Sequence, residues 1–126
     1  MTENEISAIV VDSAFKVHTT LGFGLLESVY EAALCIELAK RGLKVERQKG
    51  ISVFYDGQPI GFGFRADILV EGKVILEIKS LGYVPEVAYK ALLSYLRASD
   101  LRLGLLINFG QETLKDGLRR IANNLI

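Results

Sequence analysis

Residues 65–80, RADILVEGKVILEIKS, read as two short strands joined by a tight turn. Ile68-Leu69-Val70 and Val74-Ile75-Leu76 are continuous apolar runs, the pattern of strands covered on both faces. Glu71-Gly72 supplies turn chemistry between them. Three charged residues nevertheless sit in or beside these runs: Asp67, Glu77 and Lys79. A charge in a covered strand is costly unless it is paired, ligated or opened to a cleft.

Strand alternation places Glu77 and Lys79 on one face. The loop length decides where Asp67 falls. A two-residue loop at Glu71-Gly72 pairs Val70 with Lys73 and turns Asp67 away from Glu77. A three-residue loop, Val70-Glu71-Gly72 or Glu71-Gly72-Lys73, brings Asp67 opposite or diagonal to Glu77. Gly72 suits the left-handed position common in three-residue hairpin loops, so the odd loop and a cluster of Asp67, Glu77 and Lys79 are expected. Two carboxylates about 4 Å apart repel by about 4 kcal/mol at an effective dielectric near 20. Lys79 or a hard divalent cation such as Mg²⁺, which takes oxygen ligands, would offset this. The bland alternative is a surface Asp and a Glu–Lys pair on an exposed sheet face.

The chain of 126 residues is expected to form one domain, residues 1–126, with a substantial core. It is 50% hydrophobic and 24% charged, which excludes a disordered segment. No apolar run approaches the roughly 18 residues of a membrane span. The start, MTENEISAIVVD, is acidic and lacks the basic stretch of a signal peptide. A single cysteine, Cys35, excludes an internal disulfide and a cysteine-based zinc site, and reads as a small packing residue. A cytoplasmic protein is the resulting expectation. The net charge of zero argues against a broad, sequence-independent nucleic-acid surface. Locally, Lys40, Arg41, Lys44, Arg47 and Lys49 face only Glu46, which is either a phosphate-facing patch or a solvated helix end and strand edge.

Along the chain, Glu3 to Leu21 read as a helix, with Ile6, Ile9, Val10, Phe15 and Val17 on a wide apolar side. His18 near its end suits a helix-dipole partner better than a catalyst. Leu25 to Arg41 form a second helix stopped by Gly42, with Leu26, Val29, Ala33 and Ile36 as its core stripe. Glu27, Glu31 and Leu34 follow on a neighbouring face. Lys44 to Tyr55 and Gln58 to Val70 are strands around the hairpin turn Asp56-Gly57, with Gly61 and Gly63 marking a bend or bulge. Pro85 opens a helix to Ala98, lined inside by Val87, Ala91, Leu92, Tyr95 and Leu96. Arg102 to Phe109 is a buried strand. Glu112 to Leu125 is expected to be a last helix, with Leu114, Leu118, Ile121 and Leu125 inward. A helix between two strands is a crossover, which makes the last strand parallel to its partner. The fold class is therefore α/β, a mixed sheet flanked by helices.

That order matches the α-β-β-β-α-β core of restriction-endonuclease-like folds. Gly24-Leu25-Leu26-Glu27-Ser28-Val29-Tyr30 resembles the signature of the GxxExxY protein family, a bacterial and archaeal group placed in the PD-(D/E)xK nuclease superfamily. VHTTLGFGLLESVYEAAL, GLKVERQ, FRADILVEGKVILEIKS and LRLGLLINFG extend the resemblance over nearly the whole chain. The resemblance implies that Asp67, Glu77, the Ile78 carbonyl and Glu27 hold Mg²⁺ or Mn²⁺. It implies that Lys79 orients the attacking water or stabilises charge on the phosphate. The reaction implied is metal-assisted hydrolysis of phosphodiester bonds in DNA or RNA. A homodimer is expected, because the superfamily often works as one and a domain this small offers little surface to a duplex.

One departure stands out. Relatives often carry Gln, and His three residues earlier, on the helix after the ExK strand. Here those positions hold Ala91 and Ala88, and neighbouring Lys90 points about 100° away. A catalytically inactive binding or interaction module on the nuclease fold is the competing expectation.

Overall fold

The structure is a computed structural model, and it describes residues 1–125. Helix α1 (Glu3–Leu21) opens with a capping box: the Thr2 hydroxyl accepts from the Glu5 N–H at 3.1 Å, and Glu5 accepts from the Thr2 N–H at 2.9 Å. Its buried face carries Ile6, Val10, Ala14 and Val17, while Phe15 is largely exposed. The helix ends at Gly22, whose φ of 76° suits a residue without Cβ.

Helix α2 (Glu27–Lys40) buries a different stripe from the expected one. Tyr30, Leu34 and Leu38 are fully buried, whereas Leu26, Val29 and Ile36 are exposed and Ala33 only touches the core. Apolar residues nearly encircle this helix, so their spacing alone does not choose a face. Tyr30 chooses it. Its ring stacks on Phe109 at 4.5 Å between centroids, and its hydroxyl donates to the Gly22 carbonyl and accepts from the Leu25 N–H. That rotation also buries Glu31 and Glu37, which is tolerable because Arg47 meets Glu31 and Lys16 and Arg41 meet Glu37.

The sheet runs β1 (Val45–Tyr55), β2 (Gln58–Val70), β3 (Val74–Lys79), β4 (Leu103–Asn108), β5 (Leu118–Ala122), in that spatial order. Only the β3–β4 pair is parallel, joined by the crossover helix α3 (Glu86–Ser99) as expected. One core layer packs α1 and α2 on Ile68, Val70, Val74, Leu76, Leu103 and Leu105. The other packs Leu92 and Leu96 of α3 on Ile75, Leu69 and Leu106. The Asp56-Gly57 turn has both residues left-handed, at φ 51° and 75°, as a two-residue type I′ hairpin requires. The β1–β2 register shifts between Ile51 and Phe54, opposite the glycines expected to mark a bulge.

The expected last helix is absent over Glu112 to Ala122. A short 3-10 turn (Lys115–Gly117) leads instead into β5, which pairs antiparallel with β4 from Ile107↔Leu118 to Leu103↔Ala122. Leu114, Leu118, Ile121 and Leu125 fit helical spacing, but two constraints outweigh it. Without β5, the fully buried β4 would present an unpaired edge. Gly117 lies so close to Asn108 that a Cβ would stand 2.4 Å from its carbonyl oxygen. Gly117→Ala should therefore destabilise the protein by about 1–3 kcal/mol in urea unfolding. A loss below about 0.5 kcal/mol, the range of an ordinary surface change, would show that this approach is not a constraint.

Candidate active site

Val70 pairs with Val74, so the β2–β3 loop is the three-residue Glu71-Gly72-Lys73, with Glu71 and Gly72 both left-handed. The ladder continues to Ile68↔Leu76 and stops. One further step would set Asp67 opposite Glu77. There the strands part, and the Ile78 N–H donates to Asp67 Oδ2 at 2.7 Å, a side chain taking the place of a ladder acceptor.

The β1–β2 ribbon also changes faces at this level. Val45 packs in the α1/α2 layer and Ile51 in the α3 layer, although strict alternation would put them on one face. In β2, Ile68 and Val70 belong to the α1/α2 layer and Ala66 to the α3 layer, again against alternation. The switch falls where Gln48 lies across from Asp67. These two are skipped in the pairing, and Gln48 has φ 52°. A left-handed non-glycine costs of order 1–3 kcal/mol, so the surroundings must hold it. The Gln48 amide donates to Glu31 Oε1 at 2.6 Å, and Arg47 Nε donates to Glu31 Oε2 at 2.5 Å.

Past the switch, Asp67 lines a cleft of about 230 Å³ with Glu27, Ser28, Glu31, Gln48 and Ile78. Glu27 is exposed in the first turn of α2, where the helix dipole favours a carboxylate. The loop before it is fixed by Gly24 (φ 89°), by the Tyr30 hydroxyl on Leu25, and by Ser80 Oγ donating to the Leu25 carbonyl at 2.5 Å. The glycine and the tyrosine of the GLLESVY segment thus serve to seat its glutamate beside the sheet.

Glu77 is not among the residues lining that cleft, but it is electrostatically joined to it. Burial first, and then the Asp67 charge, push its pKa up to about 7, with Glu27 adding and Lys79 opposing. Burial is also the main reason the Asp67 carboxyl lies above the usual range, opposed by the Ile78 N–H and by Lys79, and reinforced by Glu31 and Glu27. Glu77 Oε1 is buried without a hydrogen-bond partner. Such an atom costs its full desolvation penalty, about 1–3 kcal/mol or more for a charged group, unless something outside the chain meets it.

Asp67 and Glu77 are therefore each within Coulombic reach of Lys79 and Glu27, and the Ile78 N–H holds Asp67. Glu31 and Gln48 join them without having been expected as site residues. Glu31 was legible as the residue one turn after Glu27; Gln48 was marked only as the last residue of GLKVERQ, with no role implied. Helix α3 contributes no amide or imidazole: Ala88 only packs on the α3 layer, and Lys90 is exposed. His18 lies elsewhere, its Nε2 2.9 Å from the Gln111 carbonyl oxygen and its ring stacked on Phe109. Cys35 packs at the edge of the α1/α2 core, and burial raises its thiol pKa. In the basic stretch, Arg41 meets Asp12 and Glu37, Arg47 meets Glu31 and Lys49 meets Glu46, so these three cations are already engaged.

No described helix is long and apolar enough to cross a membrane. No curated protein and no solved structure matches the chain. The family model of the PD-(D/E)XK nuclease superfamily matches residues 4–121, a span that holds both strands of the carboxylate site and the Glu27 helix. A match over nearly the whole length, on a mixed sheet with an α-β-β-β-α-β core, means that the chain belongs to the PD-(D/E)XK nuclease superfamily.

Proposed function

We propose that this chain is a metal-dependent nuclease that hydrolyses phosphodiester bonds in DNA or RNA. The observation that carries this reading is the buried, partnerless Oε1 of Glu77 beside Asp67, at the point where β2 and β3 separate. Among the described residues, no three His, Cys, Asp or Glu side chains converge closely enough to hold an ion by themselves. The donors that fit are two carboxylates, Asp67 and Glu77, with the Ile78 carbonyl and water, an all-oxygen set suited to Mg²⁺ or Mn²⁺. Glu27 would bind through a water or directly once the cleft is loaded. Nucleases of this superfamily generally use divalent metals.

A divalent cation bound there supplies Lewis-acid polarisation of the phosphate and a water of lowered pKa. The chain's own residues do the rest. Asp67 is held through Oδ2 by the Ile78 N–H, which leaves Oδ1 as the oxygen that would meet a cation. Lys79, half-buried and close enough to lower both carboxylate pKa values, would orient the water or neutralise charge developing on the phosphate. Glu27 adds negative charge that only a cation-bound substrate complex can balance. The GLLESVY segment supports a place in the GxxExxY group within the superfamily. The homodimer and the cytoplasmic setting expected from the sequence belong to this proposal as well.

A second reading, a nuclease fold kept for binding alone, is favoured by one observation: α3 presents Ala88 and Ala91 where relatives carry polar residues. Cleavage assays separate the two. Single- and double-stranded DNA and RNA should be cut with Mg²⁺ or Mn²⁺ by the wild type and not by Asp67→Ala. Lys79→Ala should lower cleavage by about 10²–10³-fold while fold and metal binding persist. No cleavage by the wild type, with a melting loss in Lys79→Ala that Mg²⁺ does not restore, would establish the binding module instead.

The raised pKa of Glu77 sets the pH dependence. Between its ordinary value of 4.5 and about 7 the folded chain binds more protons than the unfolded one. Its contribution to stability is therefore lost as pH rises through that window and levels off above it, by up to roughly 3 kcal/mol. The divalent cation takes the ionised form, so metal affinity should rise over the same window. Urea unfolding at pH 5 and pH 8 should show the wild type losing stability without metal and regaining it with Mn²⁺. In Glu77→Gln both the loss and the regain should be much smaller. A Glu77→Gln variant with the wild-type pH slope would refute the assignment.

A further inference from the structure

We propose that Gln48 is a positioning residue: its left-handed backbone, clamped through its amide to Glu31, turns the β1–β2 ribbon so that Asp67 faces the cleft. Four observations converge on it. Gln48 has φ 52° in the interior of β1, where neither a turn nor a glycine accounts for it. It lies across from Asp67, and these two drop out of an otherwise continuous run of pairs from Val45↔Val70 to Ile51↔Phe64. The residues on either side change layers: Val45, Ile68 and Val70 pack toward α1 and α2, whereas Ile51 and Ala66 pack toward α3. Gln48 also lines the cleft itself, with Glu31 and Asp67.

A residue that departs from extended geometry gives a two-stranded ribbon a place to exchange its faces. Between Val45 and Ile51, Gln48 is the residue with a positive φ. Without the switch, Asp67 would follow Leu69 toward the α3 layer, away from Glu27. Glutamine holds a conformation that a side chain rarely adopts because Glu31 fixes its amide. Glu31 is 6% exposed and is itself fixed by Arg47, so the clamp is anchored in α2, the helix that carries Glu27. The same helix thus sets both Glu27 and, through Gln48, Asp67.

The consequence for metal binding rests on the function proposed above, but the geometry is readable without metal or substrate. The Ile78 amide is bonded to Asp67 Oδ2, so its hydrogen exchange reports where Asp67 stands. Valine resists positive φ and glycine accepts it freely. In Gln48→Val, protection of the Ile78 amide should fall by about tenfold or more, while Leu105 amide protection in the core stays within about threefold. Gln48→Gly, which accepts the left-handed backbone but lacks the amide clamp, should lose clearly less Ile78 protection than Gln48→Val, about threefold. With Mn²⁺ alone as probe, calorimetry should give a dissociation constant about tenfold or more higher for Gln48→Val, and a smaller rise for Gln48→Gly. Should the valine variant not fold, Gln48→Ala is read in the same way. Unchanged Ile78 protection in the valine or alanine variant, or equal loss in the glycine variant, would overturn the proposal. A wild type that binds no Mn²⁺ would refute the metal reading and leave the exchange result to decide the positioning role.

Discussion

Two carboxylates share a partly buried gap, and neither Asp67 nor Glu77 has an ion pair there to neutralise it. Each is driven toward its protonated form first by loss of water, and Glu77 next by the Asp67 charge. Like charges held beside one another out of water cost a sizeable share of a domain's net stability of about 5–15 kcal/mol. A fold selected for stability alone would not keep this arrangement, since apolar residues of similar volume serve at least as well in such places. The rest of the molecule reads as the framework that holds it. The three-residue Glu71-Gly72-Lys73 loop sets the strand register, β4 carries β3 as far as Lys79, and α2 sets Glu27 beside them.

The framework is densely cross-bonded next to the site. Asn108 pairs with Lys79 and spans the β4 end: its side chain accepts from the Leu81 and Gly110 N–H groups and donates to the Leu81 carbonyl. Gly117 packs on the Asn108 backbone and Gly110 on the Ser80–Leu81 backbone, at distances that leave no room for a Cβ. The chain leaving Lys79 is thereby fixed from two sides, and Ser80 is tied across to Leu25 just ahead of Glu27. Positions that must be held to fractions of an ångström are better served by such cross-bonding than by apolar packing, which specifies volume more than direction.

The hairpin was legible because its register depends on local chemistry. Gly72 pointed to an odd loop, and the odd loop pointed to Asp67 beside Glu77. The crossover helix and the parallel β3–β4 pair followed from order alone. Tertiary effects hid the rest. The segment from Leu114 to Leu125 has helical spacing, but the open edge of β4 and the close approach of Gly117 to Asn108 draw it into a strand. On α2 the apolar positions surround the axis, and the stack of Tyr30 on Phe109 selects the buried face. Glu31, expected only on a face neighbouring the core stripe, then becomes a buried clamp. Gln48 carried no signal beyond its place in GLKVERQ, because a left-handed residue inside a strand is a property of what surrounds it and not of its own preference.

The electrostatics of the cleft also bear on the zero net charge, which argued against a nucleic-acid surface. That argument concerns broad, counterion-driven binding. It does not reach a local site where charge is arranged to be incomplete. Glu27, Glu31, Asp67 and Glu77 face Lys79 and an Arg47 already engaged by Glu31. A polyanion approaching this group alone meets net repulsion, and an ion of two positive charges cancels that excess within a few ångströms, well inside the roughly 8–10 Å Debye length at ordinary salt. On the nuclease reading, the cation is therefore needed to admit the phosphate as well as to polarise it. Affinity for substrate and catalysis would then share one dependence on the ion, and a neutral protein surface is compatible with a phosphate-directed site.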